Sequence, residues 1–347
     1  MKIGTHNIDA TSKVFIIAEL SANHNGSIDV ALETIKAAKR AGADCIKLQT
    51  YRADTITIDS KKDDFLIKGT IWEGKNLYEL YEEAYTPWEW HETLFKAAAE
   101  EGLVCFSSPF DPTSVALLEA LNTPAYKIAS FEITDIPLIE LVASKGKPVI
   151  ISTGIAEEAD IRLALDACHR MGNYDIALLK CTSSYPAPLN EANLVMVRDM
   201  AEKFGVITGL SDHTMGSTAP IVATCFGGKI IEKHFILDRS IGGPDASFSM
   251  NEAEFTAMVK AVREAEQAIG VVDYSLTDKQ QKGKDFCRSL YVVEDIKKGE
   301  VITANNVRSI RPGFGMHPKH LPEVLGTKAI KALEKGTRLT FDMLTGI

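Results

Sequence analysis

The stretch VFIIAELSANHNGSIDVALETIKAAKRAGADCIKLQT, residues 14–50, decides the fold class. It opens with the apolar run VFIIAE and closes with the apolar run DCIKLQT, and both runs have the length of a β-strand. Between them, Ile28, Leu32 and Ile35 recur at helical spacing, and Gly42 follows as a helix stop signal. A strand, a helix and a second strand in this order predict two parallel strands joined by a crossover helix.

Six further apolar runs continue this rhythm: LVCFSS, AYKIAS, PVIIST, IALLKCTS, GVITGLS and KIIEKHF. Eight strands, with seven helices between them and one after the last, predict an α/β fold, a (β/α)8 TIM barrel over residues 1–270. Residues 271–286 are polar and lack apolar periodicity, which indicates a linker. Residues 287–347 contain the pattern K-G-x-x-[IL]-T-x-[ND]-x-[VL] twice, as Lys298–Val307 and Lys335–Leu344, which predicts a small β-rich domain with an internal repeat.

The connection from Tyr51 to Tyr85 is unusually long, because such loops normally have roughly two to six residues. It is rich in aromatic residues, so we expect it to fold over the mouth of the barrel as a lid. Tyr51, Phe65, Trp72 and Tyr78 are the side chains expected to bury apolar groups of a substrate. The alternative is a purely structural excursion.

Charge and composition exclude several classes of protein. The chain of 347 residues has a net charge of −9 and no Lys/Arg-rich run, which argues against a nucleic-acid partner. The apolar run before Glu19 is too short for a signal peptide, and no stretch is long enough to suggest a membrane partner. Six cysteines lie far apart without a C-x-x-C pair, which is typical of free thiols and predicts a cytoplasmic protein.

Polar side chains end nearly every predicted strand, and the carboxyl ends of barrel strands form the active site in this fold. Lys47 and Lys127 alternate with Gln49 and Ser130 along their strands, so we expect both cations to face the lumen. Two cations and several hydroxyl groups suit a ligand that carries a phosphate and a carboxylate. The alternative is a buried network of the two lysines with Glu19, Glu132 and Glu232.

His213 and His234 end adjacent predicted strands, which would bring their imidazoles to one side of the mouth. Two histidines with further positions open to water and substrate could hold a divalent ion, with Mn²⁺, Mg²⁺ or Co²⁺ as the expected metals. The alternative is that each histidine is a hydrogen-bonded core residue. His24, in SANHNG, is a weaker candidate.

The motifs IIAELSANHNGS, KLQTY, FSSPFD, AYKIASFEITDIPLI, GKPVIISTG, CTSSYPAP, GLSDHTMG and IEKHF, in this order, resemble the sialic acid synthase family. The tail LYVVEDIKKGEVITANNVRSIRPGFG resembles that family's C-terminal antifreeze-like domain, a SAF domain of the β-clip type. Within the family, ELSANHN, IWEGKNLYELYEEAYTPWEWH and SFEITDIPLIE are most similar to the pseudaminic acid branch.

The resemblance implies a role for each matching residue. Residues that would bind phosphoenolpyruvate are Lys47, Gln49, Lys127, Ser130, Ser152, Ser183 and Ser211. Residues that would act at the reacting centre are Glu19, Glu232, His213 and Tyr185, while His213 and His234 would hold the metal. Asp245 and Arg311 would bind the sugar. The resemblance also implies a domain-swapped homodimer in which Arg311 reaches into the partner's barrel.

The implied reaction joins phosphoenolpyruvate to the N-acylated amino sugar 2,4-diacetamido-2,4,6-trideoxy-L-altrose and gives pseudaminic acid and phosphate. The sixth-strand motif reads CTSSYP where sialic acid synthases usually have CTN, and GGPDASFSM stands where they usually have GPDHKAS. Both departures concern sugar specificity, so an N-acetylneuraminate or legionaminate synthase is one alternative. A Schiff-base pyruvate aldolase with Lys127 as the nucleophile and a non-catalytic carbohydrate-binding protein are alternatives of other classes.

Overall fold

The computed structural model describes residues 1–346. It opens with a hairpin of β1 (Lys2–Ile3) and β2 (His6–Asn7). Eight parallel strands then close a barrel: β3 (Phe15–Glu19), β4 (Cys45–Thr50), β5 (Val104–Pro109), β6 (Tyr126–Ile128), β7 (Val149–Ser152), β8 (Ile176–Cys181), β9 (Ile207–Asp212) and β10 (Ile230–His234). Each strand pairs with the next along the chain, and β10 pairs with β3. The predicted (β/α)8 barrel is therefore confirmed.

Helices follow each barrel strand, and the long connection adds two more. They are α1 (Ile28–Arg40), α2 (Ala53–Ile56), α3 (Leu77–Ala84), α4 (His91–Glu100), α5 (Pro112–Ala120), α6 (Ile136–Ala143), α7 (Glu158–Arg170), α8 (Met196–Phe204), α9 (Thr218–Cys225) and α10 (Glu252–Ile269). Local sequence sets their ends. Asp111 caps α5 by accepting the backbone N–H groups of Thr113 and Ser114, and α8 ends at Gly205 in the left-handed conformation.

Apolar side chains close the amino end of the barrel. Inside it, Ile17, Phe106 and Leu179 belong to one buried cluster, and the N-terminal hairpin adds Ile3 and Ile8 to the same cluster. A packed interior of this kind is a core and not a pore. Polar chemistry is thus confined to the carboxyl ends of the strands.

The chain divides into two compact units at Gly270 and Val271. The second unit begins with a segment that contains the short helix α11 (Asp278–Gly283), where the sequence indicated only a linker. It continues with the antiparallel strands β11 (Ser289–Val292) and β12 (Val307–Ile310) and the single turn α12 (Leu321–Val324).

The internal repeat of the second unit is visible in its structure. Ile302 and Leu339 occupy the same position of the two repeats, and both are fully buried in one cluster. Gly299 and Gly336, also equivalent, both have left-handed φ angles, of 82° and 91°. Equivalent positions of the two repeats thus have equivalent structural roles.

Among the helices of residues 1–346, none is both long and apolar enough to cross a membrane.

Candidate active site

The site residues predicted within the barrel unit all lie in the barrel strands or in the segments that follow their carboxyl ends. They are Glu19, Lys47, Gln49, Lys127, Ser130, Ser152, Ser183, Tyr185, Ser211, His213, Glu232, His234 and Asp245. Arg311 lies in the second unit, directly after β12, and is exposed.

Four buried charges form the floor of the site. The Lys47 ammonium pairs with Glu19 and lies 3.7 Å from Oε1 of Glu232. The Lys127 ammonium lies 3.0 Å from the same Glu232 oxygen. Both lysines therefore face the lumen, as the alternation along their strands predicted, and two carboxylates balance them. An anionic ligand at this place has to compete with Glu232 for the lysines.

The two carboxylates differ in their electrostatic environment. Burial raises the pKa of Glu232, but Lys127 and Lys47 act against it more strongly, so the net pKa is lowered. Burial dominates at Glu19, and its pKa is raised although Lys47 opposes the rise. Glu232 is thus held as an anion, whereas Glu19 can gain or lose a proton closer to neutral pH.

Hydrogen bonds orient this cluster. The Gln49 side-chain amide donates to Oε1 of Glu19 at 3.1 Å, and the Ser211 hydroxyl donates to Oε1 of Glu232 at 3.2 Å. Lys47 also donates to the Ser108 hydroxyl at 3.3 Å. Gln49 and Ser211, both predicted to bind phosphoenolpyruvate, thus touch the carboxylates in this state.

A second group of small polar side chains surrounds Gly154. The Ser183 hydroxyl donates to the Ser130 hydroxyl at 3.0 Å. A Cβ atom at Gly154 would lie 2.2 Å from the Ser183 oxygen, 2.5 Å from the Ser130 oxygen and 3.0 Å from the Cys181 sulfur. Only glycine leaves room for this cradle. The Ser152 hydroxyl is buried without a hydrogen-bond partner in the protein, so it is free to bind a ligand.

Five of the predicted residues border one cavity of about 350 Å³. They are Gln49, Ser130, Tyr185, His234 and Asp245. The long connection forms much of the opposite wall, through Ile56 of α2, Trp72, and Leu80 and Ala84 of α3. The cavity therefore has a polar side from strand ends and an apolar side from the inserted segment.

The inserted segment folds over the mouth, as the sequence predicted, but its contacts differ from the expected ones. The Trp72 indole N–H donates to the Pro244 carbonyl at 3.0 Å, and its ring packs 5.5 Å from that of Tyr185. Tyr51 also lines the cavity. Phe65 and Tyr78 are not among the residues that line the cavity. The prediction that these two side chains belong to the aromatic lid is therefore wrong. Phe65 lies in a short turn without buried residues, and on α3 the buried residue is Leu80 and not Tyr78.

The two histidines lie together, with ring centroids 5.3 Å apart. Nδ1 of His213 lies 3.1 Å from the Thr182 carbonyl, to which it can donate, and this leaves Nε2 with a free lone pair. Nδ1 of His234 is buried without a hydrogen-bond partner and lies 3.6 Å from Oδ2 of Asp245. Burial and the neighbouring His213 lower the pKa of His234, so this imidazole is neutral.

The neutral His234 fits a divalent metal ion, because neutral imidazoles are its usual nitrogen ligands. Burial lowers the pKa of His213, but its contacts with Cys181 and the Thr182 carbonyl act against burial more strongly, so the net pKa is raised and a metal ion at His213 would take the place of a proton. Residues 1–346 hold no cluster of three or more His, Cys, Asp or Glu side chains arranged for a metal. The protein would therefore supply His213 and His234, and water and substrate oxygens would complete the coordination.

Two predicted residues adjoin the histidines. The Tyr185 ring lies 4.4 Å from that of His213, and burial raises the pKa of its phenol, so the hydroxyl remains protonated. The Asp245 carboxylate accepts a hydrogen bond from the Ser21 hydroxyl. Burial raises the pKa of Asp245, and the Ser21 hydroxyl and the Ala22 backbone N–H act against that rise.

His24, the weaker metal candidate, has a structural position. Its Nδ1 accepts the Gly26 N–H at 3.1 Å, and its Nε2 lies 3.3 Å from the Thr86 hydroxyl. Its ring packs edge-on against Trp90. Burial and the neighbouring His91 lower the pKa of His24 to about 4, so it is neutral and holds the end of the inserted segment.

Sequence reasoning missed three residues of the site. Glu132 was expected only as part of a buried network with the two lysines; it lines the cavity, and burial raises its pKa to about 7. Gly154, in STG at the end of the fifth barrel strand, could have been recognised by its place directly after a strand. Ser21 carries no sequence signal, because its importance depends on its backbone conformation.

Known proteins are similar to this chain over nearly its whole length. The NeuB family model matches residues 34–274, and the SAF domain model matches residues 288–345. The chain is 50% identical to a pseudaminic acid synthase from Campylobacter jejuni over 98% of both chains. It is 49% identical to the pseudaminic acid synthase from Helicobacter pylori, with 94% of this chain and 96% of that one covered.

Among solved structures, the N-acetylneuraminic acid (sialic acid) synthetase from Leptospira borgpetersenii is similar with a TM-score of 0.73 and 29% identity. The similarity covers 82% of this chain and 94% of that one. These matches confirm the resemblance that the strand-end motifs and the tail suggested. The chain therefore belongs to the NeuB family and carries a SAF domain after its barrel.

Proposed function

We propose that this protein is a transferase that condenses phosphoenolpyruvate with 2,4-diacetamido-2,4,6-trideoxy-L-altrose to give pseudaminic acid and phosphate. The observation that carries the proposal is the 50% identity to a pseudaminic acid synthase over 98% of both chains. The geometry of the barrel mouth supports it, because cations, carboxylates and paired histidines lie beside a cavity with one apolar wall.

Phosphoenolpyruvate binds, in this proposal, where Lys47 and Lys127 now face Glu232. Its phosphate and carboxylate replace part of the charge that Glu232 supplies, and the Ser130, Ser152 and Ser183 hydroxyl groups complete the site. Orientation of this multiply charged substrate against the sugar aldehyde accounts for much of the barrier reduction.

The reaction begins when C3 of phosphoenolpyruvate attacks the open-chain aldehyde, which forms the new carbon–carbon bond and leaves a cationic centre at C2. His213 and His234 would hold Mn²⁺, Mg²⁺ or Co²⁺, which supplies Lewis-acid polarisation of a carbonyl when bound. Water then adds at C2 and gives its proton to Glu19, whose raised pKa suits proton transfer near neutral pH. Cleavage of the bond between C2 and the phosphate oxygen releases phosphate, which takes the proton from Glu19. The remaining C2 hydroxyl loses its proton to the alkoxide formed from the aldehyde oxygen, and this leaves the ketone of the product.

The Schiff-base alternative requires a neutral, free amine on Lys127. In this structure Nζ of Lys127 lies 3.0 Å from the Glu232 carboxylate. Burial lowers the pKa of Lys127 more than Glu232 raises it, so the net pKa is lowered and trapping has to decide between the two reactions. Borohydride treatment in the presence of pyruvate is expected to leave no covalent adduct on Lys127. A stable adduct would contradict the proposed chemistry.

A domain-swapped homodimer is part of the proposal. Val271, Val272 and Tyr274 at the start of the second unit are 87%, 92% and 96% exposed in the single chain. A second copy that covers them would remove this apolar surface from water.

A cytoplasmic location also remains a prediction. In residues 1–346 all six cysteines are free thiols, which is consistent with a reducing compartment.

Substitution of Gly154 by alanine is expected to lower kcat/KM for phosphoenolpyruvate by about tenfold to a hundredfold, because the methyl group would displace Ser130 and Ser183. Phosphate release with each substrate varied in turn measures the effect. Gly283→Ala is the matched control, since a Cβ there meets no atom within 4 Å. Equal activity of the Gly154 variant and the wild type would contradict the assignment of this cradle.

Sugar preference tests the apolar wall. Each additional buried methylene-sized group contributes about 0.8 kcal/mol, so two or three of them predict a ten- to fiftyfold preference, approximately, for the diacetamido sugar over N-acetylmannosamine. Leu80→Asn should reduce this preference because Leu80 lines the cavity. Leu66→Asn, in the same inserted segment but partly exposed, is the control and should preserve it.

The measurement is phosphate release with both sugars, compared as kcat/KM. If N-acetylmannosamine is equal to or better than the diacetamido sugar, the choice of sugar is wrong while the phosphoenolpyruvate chemistry stands.

A further inference from the structure

The loop after the first barrel strand contains a buried residue in an unfavourable backbone conformation. Ser21 has a φ angle of +46° and is 3% exposed. Left-handed backbone is disfavoured for residues with a Cβ atom, and such residues persist only where their surroundings hold them. Glycine would adopt this conformation without strain. Contacts with the surroundings must therefore hold Ser21 in this conformation.

Hydrogen bonds hold this loop to the segment that follows β10. Asn23 donates to the Phe235 carbonyl and to the Ser249 hydroxyl, both at 2.9 Å. Asn25 donates to the Ile241 carbonyl at 3.0 Å. These contacts bring the SANHN motif against the chain that carries His234 and Asp245. They give the two asparagines of this motif a structural role.

The Ser21 hydroxyl is aimed at one group within this segment, the Asp245 carboxylate. Asp245 is buried, and both it and Ser21 line the cavity.

We propose that Ser21 is a positioning residue that holds the Asp245 carboxylate toward the cavity, where it accepts a hydrogen bond from a hydroxyl or acetamido N–H of the sugar. This inference rests on the proposed function. Phosphoenolpyruvate, which is an anion, would be repelled by Asp245, so the carboxylate serves the other substrate. Loss of the Ser21 hydroxyl leaves a buried carboxylate with one donor fewer and free to rotate.

The test compares Ser21→Ala, which removes the hydroxyl and keeps the strain, with Ser21→Gly, which removes both. Each variant is expected to lose about tenfold to a hundredfold in kcat/KM for the sugar, while KM for phosphoenolpyruvate stays within about twofold. Ser21→Gly should have a Tm at or above that of Ser21→Ala, because glycine relieves the strain. Asn122→Gly is the control, since Asn122 also has a left-handed φ of 54° but lies just after α5.

A double-mutant cycle with Asp245→Asn isolates the contact. The loss caused by Ser21→Ala should be smaller in the Asp245→Asn background than in the wild type, because the charge it orients is gone. A structural role alone would give the same loss in both backgrounds and would lower the Tm with the activity, and that outcome overturns the inference.

The wild-type assay separates the two proposals. An active wild type with Ser21 variants of unchanged kcat/KM for the sugar overturns the role of Ser21 and leaves the proposed function in place. A wild type that releases no phosphate from phosphoenolpyruvate with either amino sugar overturns both.

Discussion

Replacement of His213 or His234 by alanine is expected to abolish phosphate release, with a loss in kcat of about a thousandfold or more. Each change removes one of two imidazoles whose rings lie 5.3 Å apart at the barrel mouth. The fold should survive, because the two rings lie at the carboxyl end and not in the packed interior near Ile17 and Leu179.

Three measurements check this expectation. Phosphate release gives the activity, thermal unfolding gives the stability, and titration with Mn²⁺ followed by electron paramagnetic resonance gives metal binding directly. The matched histidine control is His169→Ala. His169 lies in the last turn of helix α7 and is not one of the site residues, so this variant should behave as the wild type. Activity of the wild type that resists exhaustive chelation would contradict the role proposed for the pair.

Loss of Arg311 is expected to be as severe, and the activity should return when two inactive variants are combined. Arg311→Ala and His213→Ala subunits should each be inactive alone. If the domains are swapped, a dimer with one subunit of each variant has one complete site. In that site, the barrel that retains His213 receives the intact Arg311 of its partner. Random exchange would thus restore about a quarter of all sites, and purified heterodimers should have about half of their sites active.

The experiment uses differently tagged subunits, exchanged and purified as heterodimers, with phosphate release as the readout. Arg308→Ala is the matched control, because Arg308 is also exposed and lies on β12. The Arg308→Ala variant should be active by itself, without exchange of subunits. Purified heterodimers that remain inactive would show that Arg311 does not serve the neighbouring barrel.

The sequence by itself determined the barrel and the inward direction of most site residues. Strand alternation has a period of two, so Lys47 and Gln49 had to share a face. In a singly wound barrel, chain order also sets which strands are neighbours, and this placed His213 and His234 side by side. The first argument uses only the local sequence, and the second uses only the order of the strands along the chain.

Other features of the site were decided only by tertiary structure. Lys127 and Glu232 lie on β6 and β10, which are not neighbours, and the contact between them depends on how far side chains reach across the closed barrel. The apolar wall is made by Leu80 of α3 and not by Phe65 or Tyr78, because the orientation of short helices is set by packing.

Tertiary structure also decided two details of the backbone. The left-handed Ser21 and the space at Gly154 arise where a loop meets a distant segment, Asp245 in one case and Ser183 in the other. Such conformations cost free energy locally and are stabilised only by contacts that are remote in sequence. Local patterns therefore determined which residues could reach the mouth of the barrel, and long-range packing decided which of them touch.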